Sequence, residues 1–91
     1  MAEAESERGL LVIGKKEISQ YLSVALIKLN KGEEFEIRAR GNNIIKAVKL
    51  LEILKAKDTV EYSMNTETEK FYEDSRELKV SAMVIHIKRK V

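Results

Sequence analysis

Residues 34–40 read Glu-Phe-Glu-Ile-Arg-Ala-Arg, a strict alternation of charged and apolar side chains. A period of two puts Phe35, Ile37 and Ala39 on one face and Glu34, Glu36, Arg38 and Arg40 on the other, the mark of a half-buried strand. The flanking segments keep a different period. Before the strand, Ile18, Tyr21/Leu22, Ala25/Leu26 and Leu29 recur at helical spacing, and Asn30-Lys31-Gly32 supplies a stop in which Gly takes the left-handed position after the helix. After it, Gly41-Asn42-Asn43 breaks the alternation, either Asn can cap a helix, and eight of the eleven residues 44–54 are apolar. One apolar strand face between two helices with apolar stripes demands two packed layers.

The remaining segments complete that plan. Residues 10–13 (LLVI), closed by Gly14, form an apolar run expected as a short strand buried on both faces, and Glu17 is expected in the first turn of the helix that follows. Val60, Tyr62 and Met64 alternate with Glu61, Ser63 and Asn65 before the chain turns polar, and residues 71–77 (FYEDSRE) read as a connection. Residues 78–88 form a last strand expected to be central and covered on both sides. The order is β-α-β-α-β-β: an α/β fold of the α+β two-layer kind, a four-stranded mixed sheet with two helices on one face and a long hairpin of the last two strands. Residues 1–9 are expected as a flexible acidic tail and residues 10–91 as a single domain. The apolar surplus of the second helix exceeds what one sheet-facing stripe needs. It calls for a second buried face, for which a second copy of the chain is the natural partner, with Leu50, Ile53 and Leu54 at the interface.

Composition removes several function classes. With no Cys and one His in 91 residues, neither a structural zinc site nor a thiol nucleophile can be assembled in the usual way, and no metal or cofactor is expected. No uncharged apolar run approaches the ~20 residues that span a bilayer, so no membrane association is expected. Ser19, Ser23, Ser63, Ser75 and Ser81 have only His86 as a potential base, and His86 lies in an apolar strand. The acid pairs Glu33/Glu34 and Glu73/Asp74 sit at turns. No phosphate-cradling glycine motif is present. The chain is not expected to be an enzyme.

The basic residues carry more information. Lys15 and Lys16 follow the first strand, Arg38 and Arg40 lie on the polar face of the second, and Lys46 and Lys49 stand in the first turns of the second helix. In a two-layer α/β domain, the ends of these strands and the starts of the helices after them share one edge. Lys15, Lys16, Arg40, Asn42, Asn43 and Lys46 should therefore converge, and cations beside two helix N-termini suit phosphate.

At these same residues the chain resembles the Alba family of archaeal chromatin proteins. The family's apolar stretch, Gly-Lys-Lys and following helix stand here as LLVIGKKEISQYLSVALIKLN, and its second pattern as RARGNNIIKAV at residues 38–48. The element order and the basic end IHIKRK also match, and the similarity covers about residues 10–91. The resemblance implies a homodimer that coats double-stranded DNA and also binds RNA, with Lys15 and Lys16 on the nucleic-acid face. Lysine acetylation weakens binding in the family, which implicates Lys15 and Lys16 as substrates of an acetyltransferase and a deacetylase; losing a cation from a phosphate track is the physical content of such a switch. Arg40 and Gly41 match the end of the family's second strand. The hairpin acts in the family as an arm along the minor groove, which brings in Lys70, Arg76 and Lys79. A cytoplasmic, chromosome-associated location follows from the same likeness.

Three positions depart from the family pattern. Glu17 replaces a Pro after the lysine pair, Asn42 stands where a basic residue is common, and residues 61–77 carry a net charge of −4. A segment of that charge is repelled by DNA, so the lysine-pair surface rather than the arm should carry binding. Two rival readings accompany this one: an RNA-directed protein of the same superfamily acting in RNA processing or protection, and an interaction module whose acidic hairpin docks a basic partner.

Overall fold

Phe35, Ile37 and Ala39 are buried to within a few per cent, and the charged residues between them face away, as the alternation requires. The structure is a computed structural model that describes residues 6–7 and 9–90. Its elements are β1 (Ser6–Glu7), β2 (Leu10–Val12), α1 (Ile18–Asn30), β3 (Phe35–Arg40), α2 (Asn43–Lys57), β4 (Val60–Glu73) and β5 (Arg76–Arg89). The sheet runs β1-β2-β3-β5-β4, with β2 parallel to β3 and the other pairs antiparallel. This is the expected four-stranded mixed sheet, widened by the two-residue β1.

Of the acidic tail expected at residues 1–9, residues 1–5 and 8 lie outside the described residues. The backbone of Ser6–Glu7 instead pairs with β2, Ser6 opposite Leu11 and Glu7 opposite Leu10, after which Gly9 turns the chain at φ +81°. The first apolar run is not buried on both faces. Leu11 and Ile13 enter the core, whereas Val12 is 42% exposed, because both helices pack on the same side of the sheet.

Each helix ends for a local reason. Helix α1 closes in a Schellman turn: Gly32, at φ +75°, donates its N–H to Leu29 O (3.0 Å), and Glu33 donates to Lys28 O (3.0 Å). Glu17 is the residue preceding the first turn of α1 and makes no capping bond, so the first turn itself has no acid. Asn42 stands at the corresponding position of α2, already helical in backbone and also without a side-chain cap.

One core holds the two layers together: Leu11 and Ile13 from β2, Tyr21, Ala25 and Leu29 from α1, Ala47, Leu50, Leu51 and Leu54 from α2, and Ile85 and Ile87 from β5. Leu50 and Leu54, expected on a partner-facing side, are 0% exposed within a single chain. The sheet and α1 already use them. The larger apolar side chains left outward on α2 are Ile45, 64% exposed, and the partly buried Ile53 and Val48.

The hairpin is longer and more regular than its composition suggests. Residues 65–73, read as polar strand end and connection, continue β4 without a break, and the turn is only Asp74-Ser75, with φ +51° and +64°. Positive φ at both central residues matches the right-handed twist of the strands and makes a two-residue turn possible. Strand β5 lies between β3 and β4, as expected of the last strand, but it is not covered on both sides: Val84 and His86 stay part-exposed on the face away from the helices, which both pack on the other. Past Arg40, which pairs Ala82, the hairpin has no third strand among the described residues. It leaves the body as a free arm, consistent with the 48 Å long axis.

Candidate nucleic-acid interface

Because β2 and β3 are parallel, with Val12 beside Arg38, the chain leaves both strands at the same edge. Residues 14–16 and 40–43 therefore meet there, and the start of α2 follows directly. Of the residues expected to converge, Lys15, Lys16, Arg40, Asn42, Asn43 and Lys46 all sit at this edge or beside it.

Their environments differ. The ammonium of Lys46 donates to Gly14 O (2.7 Å) and Lys16 O (2.9 Å), so it pins the β2–α1 loop to α2. Lys46, expected as a phosphate contact, is thus a part-buried tether, with two of its three donors already given to carbonyl oxygens. Tyr21 does the complementary work: its hydroxyl accepts the N–H of Gly14 (2.7 Å) and of Lys16 (3.2 Å). A Cβ on Gly14 would stand 3.4 Å from that hydroxyl, at the near limit of ordinary contact. Donors and acceptors of one short loop are held from two helices. Lys15 is left exposed at its tip, with Lys16 half-buried beside it.

Arg40 is 62% exposed along its side chain, and its Nε lies 3.0 Å from Glu69 Oε1 on β4. The pair crosses β5 diagonally, since Arg40 stands opposite Ala82 and Glu69 opposite Val80. Arg38 is paired along its own strand with Glu36 (3.2 Å). Gly41 turns the chain at φ +57°, a conformation a side chain resists, and its N–H donates to Ser81 O (2.8 Å). Asn42 is exposed and Asn43 half-buried at the start of α2.

The arm residues do not join this edge. Arg76 lies six residues beyond Ala82 along β5, about 20 Å at the usual rise of a strand. Lys70 and Lys79 face each other across the hairpin and share Glu77 at 3.9 and 4.0 Å. The basic C-terminal stretch is partly structural: Arg89 donates to Asp58 Oδ2 through two nitrogens (2.9 and 2.7 Å) and to Asn30 Oδ1 (2.8 Å), clasping the base of the hairpin to both helices. His86 is satisfied by Glu34 at 3.2 Å.

Sequence reasoning placed Tyr21 in the core and missed its hydroxyl, and it did not pair Glu69 with Arg40. An aromatic with a polar tip, seven residues after the glycine of a Gly-Lys-Lys loop and on the buried helix stripe, was the available signal for the first. The second had none, because the two residues meet only across a third strand.

The sequence model of the Alba family matches residues 10–70. Among solved structures, Alba from Thermoplasma volcanium is similar at 27% identity and a TM-score of 0.80, over 88% of this chain and 99% of that one. An Alba protein of Trypanosoma brucei shares the fold at 21% identity and a TM-score of 0.72, over 92% of this chain and 71% of that one. The matched residues include the lysine-pair loop, the second strand, the glycine after it and the start of α2. With the edge these elements build, they show that this chain belongs to the Alba family of nucleic-acid-binding proteins.

Proposed function

We propose that this chain is a dimeric chromosomal protein that binds double-stranded DNA with little sequence preference, coating or compacting it, and that also binds RNA. The observation that carries the reading is the preorganised edge. Lys15, Lys16 and Arg40 stand at the ends of two parallel strands, and the loop bearing the lysines is held by Tyr21 and Lys46 before any ligand arrives. Two helix N-termini without side-chain caps open at the same edge and add favourable dipoles for phosphate. Cations fixed on a braced loop and a strand end read charge rather than base identity.

A second copy would double this surface. The outward Ile45 and the part-buried Ile53 and Val48 of α2 supply apolar surface for it, and Tyr62 of β4, whose hydroxyl accepts from the Lys55 ammonium at 3.3 Å, is exposed as well. In the cell the reading places the protein on the chromosome, in the cytoplasm, with Lys15 and Lys16 as substrates of an acetyltransferase and a deacetylase.

The test is a salt-titrated comparison of duplex DNA and duplex RNA with the Lys15→Ala/Lys16→Ala variant. Binding should fall steeply with salt, and the double variant should weaken all sequences alike and flatten the slope by roughly 2 phosphate equivalents. Salt-independent affinity, or unchanged binding by the variant, overturns the reading. RNA as the preferred partner is favoured by one observation, the exposed Phe71 and Tyr72 on the arm, which could stack on unpaired bases. A clear excess of affinity for RNA at equal length and salt would select it.

A further inference from the structure

The face of the sheet turned away from the helices is not featureless. A cleft of about 340 Å³ lies on it beside the Arg40 edge. The side chains of Val12, Ala82 and Val84 form an apolar floor, and Arg38, Arg40, Asn43, Glu67 and Glu69 stand around the rim. Strand register accounts for the arrangement. Arg38 faces Val84, and Ala82 lies between Arg40 and Glu67, so one small residue is flanked by a cation and an anion across adjacent strands. Such a volume is at the lower end of what small-molecule sites occupy, enough for one planar group and its sugar.

We propose that this cleft receives one unpaired guanine of a bound nucleic acid. The inference rests on the phosphate-binding reading above and deepens it, because Arg40 and Asn43 belong to both the cleft and the edge. The apolar floor takes the face of a base, and the plane of the Arg38 guanidinium offers a second stacking surface. Glu67, opposite Ala82, is the base reader. A carboxylate only accepts hydrogen bonds, and guanine alone among the common bases presents two adjacent donors, N1–H and the N2 amino group, on one edge. Glu69 cannot take this role so readily, since its Oε1 already holds Arg40. That pair instead positions Arg40 at the mouth, where its remaining N–H groups reach the phosphate of the inserted nucleotide. A base already in a duplex cannot enter, so the cleft selects single strands, loops and bulges, whereas the lysine edge accepts any phosphate track.

The test uses hexaribonucleotides of uridine carrying one central guanosine or one central adenosine. Affinity is read by fluorescence anisotropy, and the Val12 and Val84 methyl signals are followed by NMR. The guanosine strand should bind about tenfold tighter than the adenosine strand, the scale of a charge-assisted hydrogen bond, and should shift both methyls. Glu67→Gln, at an exposed position, should bring the ratio close to one, because the amide replaces one of the two acceptor oxygens with a donor and carries no charge. Ala82→Leu, which fills the cleft, should erase both the ratio and the methyl shifts. Equal binding of the two strands by the wild type, or a preference that survives Glu67→Gln, overturns the proposal. Duplex binding measured alongside separates the two readings: if it remains salt-dependent and sensitive to the lysine pair while the guanosine preference is absent, the cleft alone is wrong.

Discussion

The Lys46 ammonium, in the first turn of α2, lies 2.7 Å from the carbonyl oxygen of Gly14, 32 residues earlier in the chain. That contact turns a basic residue which composition would assign to a ligand into the brace of the loop that presents Lys15. Lys46→Met should cost about 1–3 kcal/mol of stability, the range for losing charge-assisted hydrogen bonds, and weaken nucleic-acid binding by loosening the loop. The salt dependence of binding should hardly change. Lys15→Ala should do the opposite, leaving stability intact and lowering the slope by about 0.9. Denaturant melts and salt titrations of the two variants check this, and a slope that drops with Lys46→Met would restore it to the phosphate contacts.

Tyr21→Phe removes the acceptor for two backbone N–H groups while keeping the ring in the core. Leaving those donors without a partner should cost about 1–3 kcal/mol. The two braces grip one loop, so their losses should not add. A double-mutant cycle with Lys46→Met should give a coupling of at least ~0.5 kcal/mol, and strict additivity would show that they act on separate structures.

Glu69 partly neutralises Arg40 at 3.0 Å, in a pair that is largely exposed. Such pairs contribute little to stability, about 0.2–1 kcal/mol, so Glu69→Gln should fold as well as the parent. Freed of its partner, Arg40 should bind duplex DNA more tightly and steepen the salt dependence. Unchanged affinity at low salt would mean that Arg40 lies off the phosphate path.

The Asp58 carboxyl is held below the usual carboxylate range, first by its hydrogen bonds from the Arg89 guanidinium and then by the Thr59 N–H. Because the folded value is the depressed one, this stabilisation is complete above the unfolded value near 3.8 and is lost as pH falls through the folded value. The stability gap between wild type and Asp58→Asn should therefore stay constant from neutral pH down to about pH 5 and close below pH 4. A gap that persists at pH 2, measured by urea denaturation, would show that the clasp does not depend on the carboxylate charge.

Ile45→Glu and Ile53→Glu should dissociate the proposed dimer and leave the fold intact. Leu50→Glu should unfold the chain, because it drives a charge into a position with no exposure. Sedimentation and circular dichroism of the three variants distinguish these outcomes, and a wild-type monomer at micromolar concentration would remove the dimer.

Periodicity was enough to read the element order, the buried face of β3 and the stripe of α1. Burial on one side of a two-layer domain writes itself directly into local spacing: Phe35, Ile37 and Ala39 could face only one way. The Gly-Lys-Lys and Arg-Ala-Arg-Gly segments likewise announced the edge where they meet, since parallel strands end together. Local spacing failed where a residue's neighbours come from elsewhere in the chain. The apolar surplus of α2 pointed to a partner through Leu50 and Leu54, yet α1 and the sheet had already covered both, and the outward positions are Ile45 and Ile53. Residues 71–77 suggested a connection because of their polar Asp-Ser centre, but an arm with solvent on both sides needs only backbone pairing to remain a strand, and the turn shrinks to Asp74-Ser75. Lys46 and Arg40 have the same charge in the sequence and different work in the fold. Two carbonyl oxygens from another loop hold the first, and the second meets a carboxylate across a neighbouring strand; neither partner is near in sequence.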